Sequence, residues 1–281
     1  MGSERALRRS GADGATPPHP SPRATTALQQ RLLVWYADNG RDLPWRHTTD
    51  PYSILVSEVM LQQTQVSRVA GRYETFLGRF PTLISLAQAP LADVLRLWLG
   101  LGYNNRAVRL KRCAELAGER LPTSVDELER LPGLGPYTAR ALLVFAHNAH
   151  LAAVDANVRR VLIHELDLPP NLSPRDLQSV ADNVLPAGRS RDWHNALMDY
   201  GALVLTSRAT GLAPLSRQTP FEGSRRQLRA RLLRCVVERD GAGMNELTTL
   251  LAIDRATVSG LVDDLVRDGL LSTEGSRVCP A

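Results

Sequence analysis

Lysine is almost missing from this 281-residue chain: Lys111 stands alone, so 33 of the 34 basic side chains are arginine. Apart from the N-terminus, a single side chain could act as an amine nucleophile. Cysteine occurs three times, at Cys113, Cys235 and Cys279. Three scattered thiols exclude both a disulfide scaffold and a four-thiolate metal site. No apolar run reaches the ~18 residues that a membrane span requires, and the first segment (MGSERALRRSGADGATPPHPSPRAT) holds no apolar stretch of the signal-peptide kind. These absences argue against secreted and membrane-spanning classes. They predict a cytoplasmic, nucleoid-associated protein that works as a monomer, away from membranes.

Net charge is +5, which suits a nucleic-acid partner without proving one. Residues 1–26, rich in Gly, Pro, Ser and Ala, read as a disordered tail. From Ala27 to about 207 apolar residues recur at helical spacing, as in Leu28, Leu32, Leu33 and Tyr36, and prolines punctuate the segments. No βαβ alternation appears, so the fold class expected is all-α. Residues 208–223 read as a linker. Residues 224–281 then read as three helices and a hairpin around Glu274 and Gly275, a pattern resembling a winged helix-turn-helix. Its first helix carries Arg225, Arg226, Arg229, Arg231 and Arg234, and its third is expected to turn Val258, Leu261, Val262, Leu265 and Val266 inward.

The string LPGLGPYTARAL (131–142) joins two helices through a turn. Gly133 and Gly135 supply backbone freedom and allow a close approach. Beyond them, a helix N-terminus near Tyr137 and Thr138 offers free N–H groups to an anion such as a phosphate. Arg140, Arg159 and Arg160 are candidates for further phosphate contacts. This is a helix-hairpin-helix.

Two carboxylates carry the chemistry. Glu58 lies in a helix that is apolar on both sides, with Ile54, Leu55 and Leu61 on its own face and Val56, Val59 and Met60 opposite. Burial makes its ionisation costly, raises its pKa and suits it to donate a proton. Asp155 precedes a helical run (Val158, Val161, Leu162) and can cap it.

Taken together, LPGLGPYTA and VDANVRRV resemble the helix-hairpin-helix DNA glycosylases. Within them, PYSILVSEVMLQQTQV (51–66), LWLGLGYNNRAVRL (97–110) and NALMDYGALV (195–204) resemble the adenine DNA glycosylase (MutY) family. That resemblance implies a hydrolase that flips adenine, mispaired with guanine or 8-oxoguanine, out of double-stranded DNA and removes it. It implies Glu58 as proton donor to adenine N7, and Asp155 as the group that stabilises the oxocarbenium-like sugar. Tyr137 takes the place where bifunctional relatives carry a Schiff-base lysine, which implies a monofunctional enzyme without efficient strand cleavage. Trp45, Arg46 and Asp199 fall in the base pocket by this resemblance, and Gln62 and Tyr103 wedge into the duplex. Two alternatives stay open: a mismatch thymine or uracil glycosylase of the same fold, and a non-catalytic DNA-binding regulator.

Two departures stand out. Most relatives bind a 4Fe–4S cluster through Cys-x6-Cys-x2-Cys-x5-Cys; laid from Leu205, that spacing falls on Leu205, Leu212, Leu215 and Phe221. No cofactor and no metal are therefore expected, and the four apolar side chains are expected to pack together as a plug. In addition, the winged-helix-like module stands where relatives carry a Nudix-like domain.

Overall fold

The computed structural model describes residues 20–212 and 220–281. Its first helix, α1 (Pro22–Asn39), begins inside the segment expected to be a tail, because Ser21 caps the Ala24 N–H and Pro22 occupies the first turn. A 3₁₀ turn (Pro44–Arg46) leads to α2 (Pro51–Leu61), α3 (Val66–Arg79), α4 (Leu83–Gln88), α5 (Leu91–Trp98), α6 (Asn105–Ala117), α7 (Val125–Glu129) and α8 (Pro136–His147). Then follow α9 (Ala156–Glu165), α10 (Pro174–Asn183), α11 (Ser190–Leu203) and the short α12 (Ser207–Thr210).

Two apolar cores divide these helices. Helices α2 to α8 build one, around Leu55, Met60, Phe76, Trp98 and Leu142. Helices α1, α9, α10 and α11 build the other, around Leu32, Val161, Val180 and Trp193. Because α1 joins α9–α11 while α2–α8 form the inserted half, the chain passes between the cores twice before α12. The 149–155 segment is the second crossing, and it delivers Asp155 to the seam. The all-α expectation holds for both halves.

The C-terminal module comprises α13 (Arg225–Arg239), β1 (Ala242–Gly243), α14 (Met244–Leu251), α15 (Arg255–Arg267), β2 (Leu271–Glu274) and β3 (Arg277–Pro280). The strands form an antiparallel sheet in the order β1-β3-β2, with Leu271 opposite Pro280 and Thr273 opposite Val278. This is the expected helix-turn-helix with a hairpin wing. Its buried side chains are continuous with the α2–α8 core, and Arg96 ties it down by pairing with Asp240 at 2.8 Å. Val266, expected inward, is 37% exposed. The arginines of α13 are less free than their density suggests: Arg225 pairs with Asp264 at 2.6 Å and Arg229 with Asp268, stapling α13 to α15.

The expected four-residue plug does not form as a unit. Leu205 is buried in the second core and Leu212 packs against it, whereas Phe221 is 53% exposed. Phe221 opens a turn whose carbonyl accepts hydrogen bonds from the backbone N–H of Ser224 at 3.1 Å and its hydroxyl at 2.6 Å, which aims the ring outward. Leu215 lies outside the described residues. Leu205→Asp is accordingly expected to cost at least about 2 kcal/mol in urea unfolding, while Phe221→Asp stays within about 0.5 kcal/mol. Equal losses at both sites would show that Phe221 is covered in solution.

Candidate active site

Helix α2 exists because Asp50 caps it and Pro51 opens it, and it buries every residue from Ile54 to Met60. Glu58 shares this burial, at 7% exposure. Desolvation pushes its carboxyl from 4.5 up to about 7; a hydrogen bond with Tyr137 opposes that shift, and the charge of Asp155 adds to it. Tyr137, in the first turn of α8, is half-buried, and its hydroxyl is held well above its ordinary pKa by burial and then by Glu58 and Asp155. Asp155 is also raised, through desolvation, against hydrogen bonds from Val158 and Asn157. The structure thus brings together all three side chains expected to be catalytic. Two belong to the first core, and the third enters from the second.

Asp155 is fixed atom by atom. Oδ1 accepts the Val158 N–H at 2.7 Å as an N-cap, and Oδ2 accepts the Asn157 side-chain amide at 2.8 Å. Asn157 Oδ1 in turn accepts from Arg160 at 2.6 Å, and Arg160 also binds the carbonyls of Gly201, at 2.6 Å, and Leu205. Gly201 is a glycine for a steric reason: a Cβ there would sit 2.8 Å from that of Asn157. Upstream, the Ala153 N–H donates to His194 Nε2 at 2.9 Å, while His194 Nδ1 donates to the Ser190 carbonyl at 2.7 Å. Burial lowers the pKa of His194, so the neutral ring clamps the approach to Asp155. Arg160, a candidate phosphate contact, is thereby committed to the interior.

At the other side of the seam, Arg106 grips the end of α2. Its Nη1 donates to the carbonyls of Val59, Met60 and Gln62 at 2.8, 2.9 and 2.5 Å. Its Nη2 reaches the Thr64 hydroxyl and the Gly102 carbonyl, both at 2.9 Å. The guanidinium also lies over the rings of Trp98 and Tyr103. This clamp sets both expected wedge residues. Gln62 reaches the Thr138 hydroxyl at 3.3 Å and lies 3.5 Å from the Gly133 carbonyl. Tyr103, held at a left-handed φ of 47°, is 40% exposed. Gly133, at φ 87°, packs against Arg109, and Gly135 is the exposed N-cap that precedes α8. The α8 N-terminus is therefore open to an anion beside the wedge.

With this geometry in view, the relatives are informative. The profile of the HhH-GPD superfamily base excision DNA repair protein matches residues 56–183. An adenine DNA glycosylase of Mycolicibacterium smegmatis is 39% identical over 288 residues, covering 89% of this chain and 98% of that protein. The chain belongs to the adenine DNA glycosylase family. The human adenine DNA glycosylase is 37% identical over 70% of this chain and 38% of its own length. Among solved structures, a thermostable thymine-DNA glycosylase superposes with a TM-score of 0.62 at 29% identity, covering 67% of this chain and 90% of that one. An endonuclease III–DNA complex gives 0.60 at 18% identity over 71% and 92%, a likeness of fold.

Three expected site residues of this family member are placed differently from expectation. Asp199, expected to read the base, is fully buried, and its oxygens accept four hydrogen bonds: from the backbone N–H and Nε of Arg41 at 2.8 and 2.7 Å, and from Arg46 at 2.7 and 2.8 Å. Burial pushes its carboxyl up, but the two arginines outweigh it and hold it below the ordinary value. Asp199 therefore orients Arg46 and presents no free oxygen to a base. Trp45 packs edge-on against Tyr73 in the core, 5.6 Å between ring centres. Arg140 is spent on the Ala152 carbonyl at 3.3 Å and Asp182 at 3.5 Å, bracing the 149–155 segment.

The residues present do not fit an iron–sulfur cluster. The equivalent positions offer side chains without donors. Cys113 is buried in α6 with its thiol pushed up to about 12 by desolvation, and Cys235 and Cys279 lie in the C-terminal module.

Sequence reasoning missed Arg41, Arg106, Asn157 and His194. For Arg106 a signal existed: it falls on the buried stripe of α6 with Ala107, Leu110, Cys113 and Ala114. Replacing it by methionine leaves those acceptors unpaired, so Arg106→Met is expected to cost about 3 kcal/mol or more in urea unfolding. Arg106→Lys, with three donors on a point charge, is expected to restore only part. A methionine variant within 1 kcal/mol of wild type would show that water replaces the clamp.

The raised Glu58 carboxyl gives a signed prediction. The native state binds its proton more tightly than the unfolded chain does. Below about pH 4.5 the group is protonated in both states; the ionisation penalty grows from there to about 7 and is complete above it. Glu58→Gln should therefore be more stable than wild type at pH 8, by on the order of 1–3 kcal/mol, with the gap closing near pH 4.5. Coincident denaturant midpoints at both pH values would mean that the carboxyl is hydrated.

Proposed function

We propose that the chain is a monofunctional glycosylase of base-excision repair, hydrolysing adenine from double-stranded DNA where it faces guanine or 8-oxoguanine. The observation that carries this reading is a carboxyl buried at 7% exposure, poised near pH 7, touching Tyr137 and facing Asp155 beside a helix-hairpin-helix. Protonated Glu58 gives its proton to adenine N7. The C1′–N9 bond then breaks with its electron pair leaving on the base, and the cationic sugar forms opposite the Asp155 carboxylate. Water adds to C1′ and its proton returns to a carboxylate, leaving free adenine and an intact abasic strand. Gln62 and Tyr103 fill the space from which the base leaves, the α8 N-terminus from Gly135 to Thr138 holds a phosphate, and Arg46, oriented by Asp199, borders the base pocket. A monomer is sufficient, since both carboxylates come from one chain. Among the described residues no helix is long and apolar enough to cross a membrane.

The likeness to a thymine-DNA glycosylase favours one rival, mismatch pyrimidine removal. Cleavage of duplexes carrying A, T or U opposite G or 8-oxoguanine, with and without alkali, decides between them. Adenine release that needs alkali for strand scission is expected. Glu58→Gln and Asp155→Asn should each slow single-turnover release by about 10²–10⁴-fold, and the wild-type rate should fall with pH above about 7 as Glu58 ionises. Thymine or uracil release, or stoichiometric borohydride trapping, would overturn the assignment.

The reading also includes activity without a cofactor, because Leu205, Leu212, Leu215 and Phe221 supply no thiolate. Protein purified anaerobically should be colourless and contain no stoichiometric iron, yet release adenine. Four irons per chain would refute this.

A further inference from the structure

Where α13 docks, a cleft of about 530 Å³ opens, lined by Arg72 of α3, Arg96 and Leu99 at the end of α5, and Arg234 and Glu238 of α13. Its arginines are not equivalent. Arg96 is compensated by Asp93 and Asp240. Arg234 stands 4.0 Å from Glu238, both half exposed. Among the described residues Arg72 has no carboxylate partner, and it donates one hydrogen bond, to the Leu97 carbonyl, 3.5 Å long. One turn back on the same helix, Arg68 is exposed and makes no ion pair or side-chain hydrogen bond among the described residues. Four helical residues rise about 6 Å, a span that covers about two phosphates along one DNA strand.

The cleft adjoins the wedge from two directions. Helix α3 starts directly after the Gln62–Gln65 turn. The Arg72 guanidinium lies against the 99–104 loop, so close that a Cβ on Gly100 would be 3.2 Å from its Nη2. A duplex seated on Gln62 and Tyr103 therefore continues past Arg68 and Arg72 toward α13. The second helix of the helix-turn-helix is the usual reading element of such a module, but here its charges are mixed, with Arg255 and Arg267 at its ends and Asp263 and Asp264 between them. That helix, α15, exposes Asp263 and uses Asp264 and Asp268 to hold α13.

We infer that the seam between α3, α5 and α13 is a phosphodiester-binding surface, through which the C-terminal module, by Arg234 rather than by its recognition helix, grips duplex DNA beyond the lesion. This rests on the reading of the chain as a DNA glycosylase and gives the added module a role within it. The test uses the full chain and an undamaged duplex of about 25 base pairs, with Kd measured over a range of salt. Arg72→Gln and Arg234→Gln should each weaken binding about 3- to 10-fold and reduce the salt slope by about one. Glu238→Gln should tighten binding. Arg189→Gln is the control: its charge is paired with Asp192, and it lies by the C-terminus of α8, away from the hairpin. Unchanged slopes in folded Arg72→Gln and Arg234→Gln proteins would overturn the inference, as would an equal loss in Arg189→Gln, which would report net charge alone. Inorganic tripolyphosphate that stabilises wild type but not Arg72→Gln, with duplex affinity the same in both, would identify a free-polyanion site and also overturn it. No base is released in this experiment, so a failed adenine assignment would register in the excision assay and leave this result readable.

Discussion

A buried cation with no carboxylate partner among the described residues holds the first half of the site together. Arg106 is 7% exposed and spends its donors on carbonyls and a hydroxyl, with aromatic faces of Trp98 and Tyr103 against the guanidinium. Desolvation lowers its pKa to about 10, still high enough to keep it charged at neutral pH. The carbonyls it collects are those at the C-terminal end of α2, where the helix dipole is negative and no intrahelical partner remains. Glu58 lies one turn earlier on that helix. Burial thus acts on one helix in two senses: it drives the acid toward neutrality, while leaving intact the cation that fixes the acid's height. The wedge residues inherit their positions from the same clamp, because Gln62 and Tyr103 each contribute a carbonyl to it.

The second carboxylate depends on a different anchor. Asp155 stands at the start of α9, and Asn157 and Arg160 carry its orientation back to the Gly201 and Leu205 carbonyls at the end of α11. Leu205 is the first of the positions where a cluster-bearing relative would have a ligand. Here its backbone is fastened by a guanidinium and its side chain by the apolar core, so the end of α11 is held by packing and hydrogen bonds within one chain. Each carboxylate is therefore rigid with respect to its own core. Their mutual placement falls to the 149–155 crossing, which His194, Arg140 and Asp182 brace from three sides.

How much of this could be read along the chain follows from the range of each interaction. The burial of Glu58 was legible because a helix apolar on both faces has no solvent side, and the hairpin was legible because its glycines and proline act locally. The cap at Asp155 and the order of elements in the C-terminal module are local too. What stayed hidden was the destination of each guanidinium. Arg41 and Arg46 close on Asp199 from about 150 residues away, which turned an expected base reader into a buried counter-ion. Spacing along a helix tells which face an arginine leaves from, not which carbonyl it reaches. Phe221 failed for the related reason that an apolar side chain in a turn is aimed by the turn's own hydrogen bonds.

Reliance on arginine has a structural consequence beyond charge. A guanidinium has five donors in a rigid plane and can serve several carbonyls at once, which an ammonium cannot do from a single point. Arg106, Arg160 and Arg191 each do so; Arg191 spans the Phe145 and Ala146 carbonyls at the end of α8. Arg225 and Arg229 are consumed as staples within the C-terminal module. The +5 net charge is therefore a poor measure of what a DNA strand would meet. Arginines inside the protein join helices, and among those without an ion pair in the described residues Arg72 lies against the 99–104 loop and Arg109 against Gly133 of the hairpin.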